Sequence, residues 1–153
     1  MRPQVRTAGP ADAEALLALM RELARFEGYD EQFKVTAADL LVRGLERKGT
    51  PEFVAFVAEH PGKAPFGYAV VVETPFTFDL RPTVTLKELY VRESARGIGA
   101  GGALFERVLV HSRARGAGRL KWDVLPFNEP ARAFYRHAGG APDADWERWV
   151  LAL

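Results

Sequence analysis

The sequence predicts a single mixed α/β domain whose strands and helices follow the order β-α-α-β-β-β-α-β-α-β. Three observations support this prediction. The 153 residues are the length of one domain and suffice to bury about two-thirds of the surface of the unfolded chain. Hydrophobic residues make up 48% and charged residues 27%, as in an ordinary globular protein. Helical and strand patterns alternate without a repeat or a linker, so we expect one domain over residues 1–153.

The first third of the chain is predicted to form a short strand and two helices. Val5–Thr7 is rich in β-prone residues. Across Ala11–Phe26 apolar residues recur at helical spacing, and Gly28 ends this pattern. The capping-box pattern Thr36–Asp39 begins a second helix, which we expect to end near Leu45.

The middle of the chain contains three β-rich runs. They are Phe53–Ala58, Phe66–Val72 and Val84–Val91, and a His-Pro-Gly turn between the first two indicates a hairpin. We expect Val84–Val91, with the sequence VTLKELYV, to be the best-defined strand.

The last third of the chain returns to alternating elements. A glycine cluster begins a helix, and a strand is predicted over Leu120–Leu125. Asn128 is typical of a helix N-cap, and the helix that follows is expected to run through Arg136. Trp146–Leu153 is predicted to form a final strand.

The overall charge and composition exclude several classes of protein. Lys and Arg number 21 against 20 Asp and Glu, a balance that does not suit a protein whose main partner is a polyanion such as DNA. The absence of cysteine excludes a disulfide framework, a thiolate zinc site and a cysteine nucleophile. His60, His111 and His137 share no metal-ligand spacing, so we expect no metal. Because no signal-type or membrane-spanning apolar run occurs, we expect a cytoplasmic protein without a nucleic-acid or membrane partner.

The most informative segment is Arg96–Gly102, with the sequence RGIGAGG, between a predicted strand and a predicted helix. Glycines allow a ligand to approach the backbone closely, and the helix directs free N–H groups and its positive dipole end toward the loop. A diphosphate suits this arrangement, although a turn that simply needs glycine would have a similar sequence.

A dinucleotide-binding loop is one alternative interpretation of these glycines. Gly97, Gly99 and Gly102 satisfy G-x-G-x-x-G, and Asp123 follows about twenty residues later, as such a fold requires. Against it, a polar loop separates the strand from the first glycine, and too little chain follows for the second half of the sheet.

The same region resembles the acetyl-CoA pyrophosphate loop of the GNAT N-acetyltransferase superfamily, whose pattern is close to V-x-x-x-x-R-G-x-G-x-G. Val91–Gly101 reads VRESARGIGAG and matches this pattern almost completely. Val5–Leu40 is similar to the first strand and two helices of the branch that acetylates spermidine, spermine and thialysine. Asn128-Glu129-Pro130 followed by Phe134-Tyr135-Arg136 resembles the NEP…FYK motif of that branch, and Trp146 fits it too.

The resemblance implies a GNAT-like α/β fold in one domain, with a mixed, mostly antiparallel central sheet flanked by about four helices. It also implies direct transfer of an acetyl group from acetyl-CoA, the co-substrate, to a primary amine of a small polyamine- or thialysine-like molecule, and a homodimer. Two alternatives stay open beside this enzyme: a dinucleotide-binding protein and a non-catalytic acyl-CoA-binding sensor on the same fold.

The resemblance assigns residues to the cofactor. Backbone groups of one strand would pair with the pantetheine arm, the glycine-loop amides would hold the pyrophosphate, and residues at the start of the later helix would contact the cofactor. Arg96 is our first choice for a side chain that meets the phosphates. In order, these residues are Leu89, Tyr90, Val91, Arg96, Gly97, Ile98, Gly99, Ala100, Gly101, Gly102, Asn128, Glu129, Pro130 and Ala131.

The resemblance also implies the catalytic groups. Tyr135 would be the general acid that protonates the departing thiolate, although a helix aromatic packed in a core has the same sequence pattern. The branch places a glutamate base where this sequence has Lys87, which is not an ordinary base near neutral pH. Glu88 is the candidate base instead, but in an ideal strand it points to the opposite face, so a bulge would have to rotate it inward.

Two further features concern the second substrate. Lys87 brings a cation to the place where a second positive charge of a polyamine would bind. Glu27, Asp30 and Glu31 form an acidic patch that could attract a cationic amine, or could simply be a solvated loop at a helix end.

Overall fold

A computed structural model describes residues 2–153 and divides them into two compact units, the first ending at Trp122 and the second spanning Asp123–Leu153. In chain order, the first unit contains β1 (Gln4–Thr7), α1 (Ala13–Glu27), α2 (Ala37–Leu40), β2 (Val54–Glu59), β3 (Gly67–Thr74), β4 (Thr83–Val91), α3 (Ala100–Ala114) and β5 (Arg119–Lys121). The second unit contains α4 (Glu129–His137).

The sheet of the first unit has the strand order β1-β2-β3-β4-β5. All neighbouring pairs are antiparallel except β4 and β5, which run parallel from Thr83 opposite Arg119 to Thr85 opposite Lys121. The prediction of a mixed, mostly antiparallel sheet with about four helices is therefore confirmed for the described residues. A dinucleotide-binding fold has a mostly parallel sheet, so this topology differs from it.

Helices α1 and α3 cover opposite faces of the sheet. Tyr68 and Val70 of β3 share a buried cluster with Leu16 and Leu19 of α1. Ala69 lies on the other face because side chains alternate along a strand. Its cross-strand partner Phe56 contacts α3, where the His111 ring lies 5.4 Å from the Phe56 ring centre. Each such buried side chain contributes about 1.5–3 kcal/mol, so the two helices hold the sheet between two apolar layers.

Helix α1 ends where the sequence predicts. Gly28 adopts a left-handed conformation with φ of 83°, and its N–H donates to carbonyl groups of the last helical turn. Thr36 and Asp39 form the predicted capping box at the start of α2. The predicted second helix changes character after Leu40, because Leu41–Leu45 continues as a π-helical turn.

Two predicted strands differ from the structure. The strand expected over Leu120–Leu125 is the shorter β5, Arg119–Lys121. No strand forms over Trp146–Leu153 among the residues that the structure describes, and the side chains of Trp146 and Trp149 are exposed. An apolar, β-prone run becomes a strand only where a neighbour satisfies its backbone hydrogen bonds, and the pattern alone supplies no neighbour.

Within residues 2–153, no helix combines the length and the apolar composition needed to cross a bilayer.

Candidate active site

Strand β4 contains a β-bulge at Lys87. Glu88 lies opposite Val70 of β3, whereas Leu86 lies opposite the next residue, Val71, so Lys87 is the extra residue. Because cross-strand partners share a face, the bulge turns Glu88 toward the α1 face on which Val70 lies. The side chain of Glu88 is 10% exposed and that of Lys87 is 60% exposed. The bulge that the prediction needed to turn Glu88 inward is thus present, and Glu88 faces inward.

Two carboxyl groups, a lysine and a tyrosine interact near this bulge. Burial raises the pKa of Glu88, an effect that Lys87, with its Nζ 3.6 Å from Glu88 Oε1, partly opposes. Glu27, at the end of α1, is exposed as a residue, but partial burial of its carboxyl and the nearby charge of Glu88 raise its pKa. Burial, Glu88 and Glu27 together raise the pKa of Tyr29 to about 12. A carboxyl whose pKa is shifted toward neutrality is suited to accept and release protons.

A cavity of about 660 Å³, here called the Glu88 pocket, opens beside the bulge. Its volume is within the range of small-molecule sites. It is lined by residues from α1, the loop after it, α2 with its π-helical turn, the segment just before β2, and the strands β3 and β4: Met20, Tyr29, Gln32, Phe33, Lys34, Val35, Asp39, Leu40, Arg43, Glu52, Phe53, Val70, Val72, Lys87 and Glu88.

The predicted acidic patch is only partly associated with this pocket. Glu27 is close enough to Glu88 for the two charges to influence each other. Asp30 and Glu31 are exposed and do not line the pocket, whereas their neighbours Tyr29 and Gln32 do. The loop therefore contributes a phenol and an amide to the pocket wall and keeps its carboxylates outside.

The outer edge of β4 is open beyond Thr85. Pairing with β5 ends there, and in residues 2–153 the later part of β4 has no strand partner on that side. The Arg92 N–H donates to the Phe66 carbonyl at 2.8 Å. Because backbone groups alternate in direction along an antiparallel strand, Leu89 and Val91 direct theirs to the open edge and Tyr90 directs its own to β3. Of the three residues expected to pair with pantetheine, two therefore present backbone groups at that edge.

The glycine loop follows directly from this open edge. Gly97 and Gly99 both have φ of 83°, a left-handed conformation that favours glycine, and Gly99 is the N-cap of α3. A Cβ added at Gly97, Gly99 or Gly102 would meet no atom within 4 Å. Open space thus adjoins these three glycines, whereas Ala100 between them is buried at the start of the helix. The first N–H groups of α3 have no acceptor within the helix, so they suit an anion.

Arg96 lies between the open edge and the glycines. Its Nε donates to the Val91 carbonyl at 2.9 Å, and its guanidinium carbon lies 5.9 Å from the centre of the Tyr90 ring. The residue is exposed. The side chain therefore fixes the turn from β4 into the loop and carries a positive charge beside it.

The second unit contains the remaining predicted residues. Asn128 caps α4 because its Oδ1 accepts from the Ala131 N–H at 3.2 Å. Glu129 forms an ion pair with Arg132 at 3.2 Å, and Pro130 has no N–H to donate. Tyr135 is half-buried, with its ring centre 5.2 Å from that of Phe134. Within this unit, Asn128, Glu129 and Ala131 thus already take part in helix capping or ion pairing.

Sequence reasoning missed the aromatic residues around Glu88. Tyr68 is fully buried, and its hydroxyl has no hydrogen-bond partner among the described residues. Burial first, and then Glu88 and Tyr29, raise the pKa of Tyr68. Tyr68 and Val70 share a face of β3, so strand alternation together with the bulge would have indicated that Tyr68 lies near Glu88.

Comparison with known proteins agrees with this architecture. The sequence model of the Acetyltransferase (GNAT) family matches residues 14–139. Thialysine N-epsilon-acetyltransferase of Caenorhabditis elegans is 31% identical over 133 residues, which are 86% of this chain and 79% of that protein. Spermidine/spermine N(1)-acetyltransferase-like protein 1 of Homo sapiens is 27% identical over 156 residues, which are 97% of this chain and 22% of that protein.

Solved structures agree on the fold. The crystal structure of a probable acetyltransferase has a TM-score of 0.82 and 22% identity, covering 98% of this chain and 97% of that one. At this identity the likeness concerns the fold alone. Together with the family match, these findings confirm the resemblance and show that the chain is an N-acetyltransferase that belongs to the GNAT family.

Proposed function

We propose that the protein transfers an acetyl group from acetyl-CoA directly to the primary amine of a small molecule, in the class that includes polyamines and thialysine. One observation supports this most strongly. On a single strand, the inward-facing Glu88 borders a pocket of about 660 Å³, and the open edge that follows it leads into the glycine loop. An acceptor and a donor bound at these two places would meet at β4.

Residues of the first unit fit acetyl-CoA. Leu89 and Val91 offer outward backbone groups to the pantetheine amides, as an added strand would use them. The amides of Gly97–Gly102 and the positive end of α3 suit the pyrophosphate, with Arg96 as a neighbouring cation. The start of α4, from Asn128 to Ala131, is assigned to the cofactor by resemblance.

The proposed chemistry needs one base and one acid. Glu88 accepts a proton from the ammonium group of the acceptor, directly or through water, and the free amine attacks the thioester carbonyl. The carbon–sulfur bond then breaks, and Tyr135, a phenol, protonates the departing thiolate. The sequence contains no cysteine, which excludes a cysteinyl acyl-enzyme and supports direct transfer.

The deciding experiment measures acetyl-CoA binding by calorimetry and thioester consumption with a panel of primary amines. We expect acetyl-CoA to bind and at least one amine to be acetylated. Binding without consumption of the thioester would favour a non-catalytic acyl-CoA sensor. Binding of NADH in place of acetyl-CoA would overturn the proposal in favour of a dinucleotide-binding protein.

We also propose that the protein is a cytoplasmic homodimer, one domain over residues 1–153, without a nucleic-acid or membrane partner. The family resemblance supports the dimer, and the net charge of +1 supports the absence of a polyanionic partner. A monomeric mass in light scattering would contradict the dimer.

A further inference from the structure

The Glu88 pocket has mainly apolar walls. Phe33, Phe53, Val70 and Val72 line it together with other aliphatic side chains. Apolar walls favour a ligand with apolar surface, because burying each methylene group contributes about 0.8 kcal/mol.

The carboxylates away from the bulge already have partners. Asp39 Oδ2 accepts from the Thr36 N–H at 2.9 Å and from its hydroxyl at 2.8 Å, so this carboxylate closes the capping box of α2. Glu52 Oε1 lies 3.5 Å from Arg43 Nη1, and Arg43 also lines the pocket. Both side chains of the Arg43–Glu52 pair are more than 60% exposed, and a solvent-exposed ion pair is worth at most about 1 kcal/mol, so a second ammonium group placed there gains little.

The charges of the lining are balanced. Lys34, Arg43 and Lys87 line the pocket along with the three carboxylates Asp39, Glu52 and Glu88. Lys87 is the residue that neighbours Glu88 at 3.6 Å. An ammonium group at Glu88 meets Lys87 as well, but the Glu88 side chain is only 10% exposed, so water screens its charge less than that of the exposed Glu52. A second ammonium group would meet Arg43 beside Glu52 and would gain less there.

We infer that the acceptor is a monoamine, with one ammonium group at Glu88 and an apolar body along the pocket, rather than a polyamine. This inference rests on the proposed function: it keeps the primary-amine acceptor and sets aside the polyamine that the family resemblance implies. The acidic-patch residues Glu27, Asp30 and Glu31 are not among the residues that line the pocket, so they give it no second binding point for an ammonium group.

Phe53 determines how much room the apolar body has. A Cβ added at Gly44, in the π-helical turn, would lie 2.3 Å from Cζ of the Phe53 ring. The ring therefore rests on Gly44 because this residue has no side chain. Phe53 is thus a specificity-determining residue, and its removal should weaken binding of a long amine more than that of a short one.

The position of the ion pair Arg43–Glu52 relative to Glu88 guides the choice of two matched probe amines. Glu52 directly precedes Phe53 and β2, and β2 is separated from the strand of Glu88 by β3. Two strand spacings amount to about 10 Å across the sheet, and Glu52 precedes Ala55, the residue that Val70 aligns with Glu88, by three positions, which adds about 10 Å along the strands. Hexylamine and hexane-1,6-diamine have the same carbon chain and differ only in a second ammonium group at the end away from Glu88.

The experiment measures the binding of both probes by calorimetry to the protein saturated with CoA, and their kcat/KM with acetyl-CoA. We expect hexylamine to exceed the diamine at least about tenfold in both quantities. Phe53→Ala should weaken hexylamine binding about tenfold and ethylamine binding much less. Phe76→Ala, which truncates a side chain that is 85% exposed and outside the pocket, should change neither.

A second variant changes the balance of charge. Arg43→Gln removes the cation beside Glu52, so the ratio of diamine affinity to hexylamine affinity should rise about threefold. Lys48→Gln is the matched control, since it removes an exposed ion pair with Glu46 outside the pocket.

The outcomes separate this inference from the proposed function. Equal or better binding and acetylation of the diamine would overturn the inference and leave the acetyltransferase proposal standing. Selective binding of hexylamine without acetylation would support the inference and contradict the proposed acceptor chemistry. If neither probe binds, the inference is overturned, and acetylation of another amine in the panel still decides the proposed function separately.

Discussion

The glycine loop and the Glu88 pocket are specified in different ways. The loop is one contiguous segment, Arg96–Gly102, that presents backbone N–H groups, and its sequence is constrained by two left-handed residues. The pocket is assembled from side chains spread between Met20 and Glu88. A backbone site leaves a sequence motif because glycine is required at fixed positions. A side-chain pocket leaves none, because many combinations of residues line a cavity of the same size.

Glu88→Gln tests the pocket side of this comparison and should have the largest effect. The amide keeps the shape of the side chain but accepts no proton, so turnover should fall about a hundredfold. Because burial raises the pKa of Glu88, wild-type activity should increase with pH through a limb above the ordinary carboxylate range. A pH–rate profile should lose this limb in the variant and keep it in Glu106→Gln, an exposed control on α3. An unaltered limb would mean that another group is the base.

Tyr135→Phe tests the proposed acid, which neither the loop nor the pocket contains. Removing the phenolic hydroxyl should lower turnover tenfold or more, while the affinity for acetyl-CoA changes little, because general acid catalysis acts in the transition state. Single-turnover kinetics and calorimetry measure the two quantities separately. If turnover does not change, Tyr135 is a packing residue of α4 beside Phe134.

Gly99→Ala and Gly102→Ala test the loop side. Gly99 has a positive φ, so alanine should lower the free energy of unfolding by about 1–2 kcal/mol, whereas Gly102 lies within α3, where alanine should raise it by up to about 1 kcal/mol. Both added methyl groups enter open space on the protein side. If the pyrophosphate occupies that space, both variants should bind acetyl-CoA about tenfold more weakly.

The two variants are each other's control. Chemical denaturation gives the free energy of unfolding, and calorimetry gives the affinity. A more stable Gly102→Ala variant with unchanged affinity would contradict the proposed pyrophosphate site, because the glycine would then serve no ligand.

Lys87→Met should have a smaller effect at the pocket. The lysine charge opposes the rise in the pKa of Glu88, so its removal should raise that pKa further. The acidic limb of the pH–rate profile should therefore move to higher pH, while activity above the limb remains. A limb that stays in place would show that Lys87 does not influence the base.

The features that depend on local backbone conformation could be predicted from the sequence, whereas those that depend on side-chain packing could not. The Thr36–Asp39 capping box, the end of α1 at Gly28 and the glycine loop all follow from local backbone requirements that few residue types meet. The bulge at Lys87 was necessary for Glu88 to face inward, but the sequence alone did not establish it, because a bulge depends on register with β3. Phe53 and Tyr29 line the pocket because of tertiary packing, which no local sequence pattern indicates.

Tyr68→Phe tests the buried tyrosine near Glu88 that the sequence did not indicate, and it should have the smallest effect. The Tyr68 hydroxyl is buried with no hydrogen-bond partner among the described residues, and an unsatisfied hydroxyl costs about 1–3 kcal/mol. Phenylalanine keeps the ring that packs against α1, so the free energy of unfolding should rise by about 1 kcal/mol. Denaturation in urea measures this change, with Tyr90→Phe as a control on the same face of the sheet. A loss of stability would mean that the hydroxyl is hydrogen-bonded through a buried water beside Glu88, and the base would then belong to a polar network rather than to an isolated carboxyl.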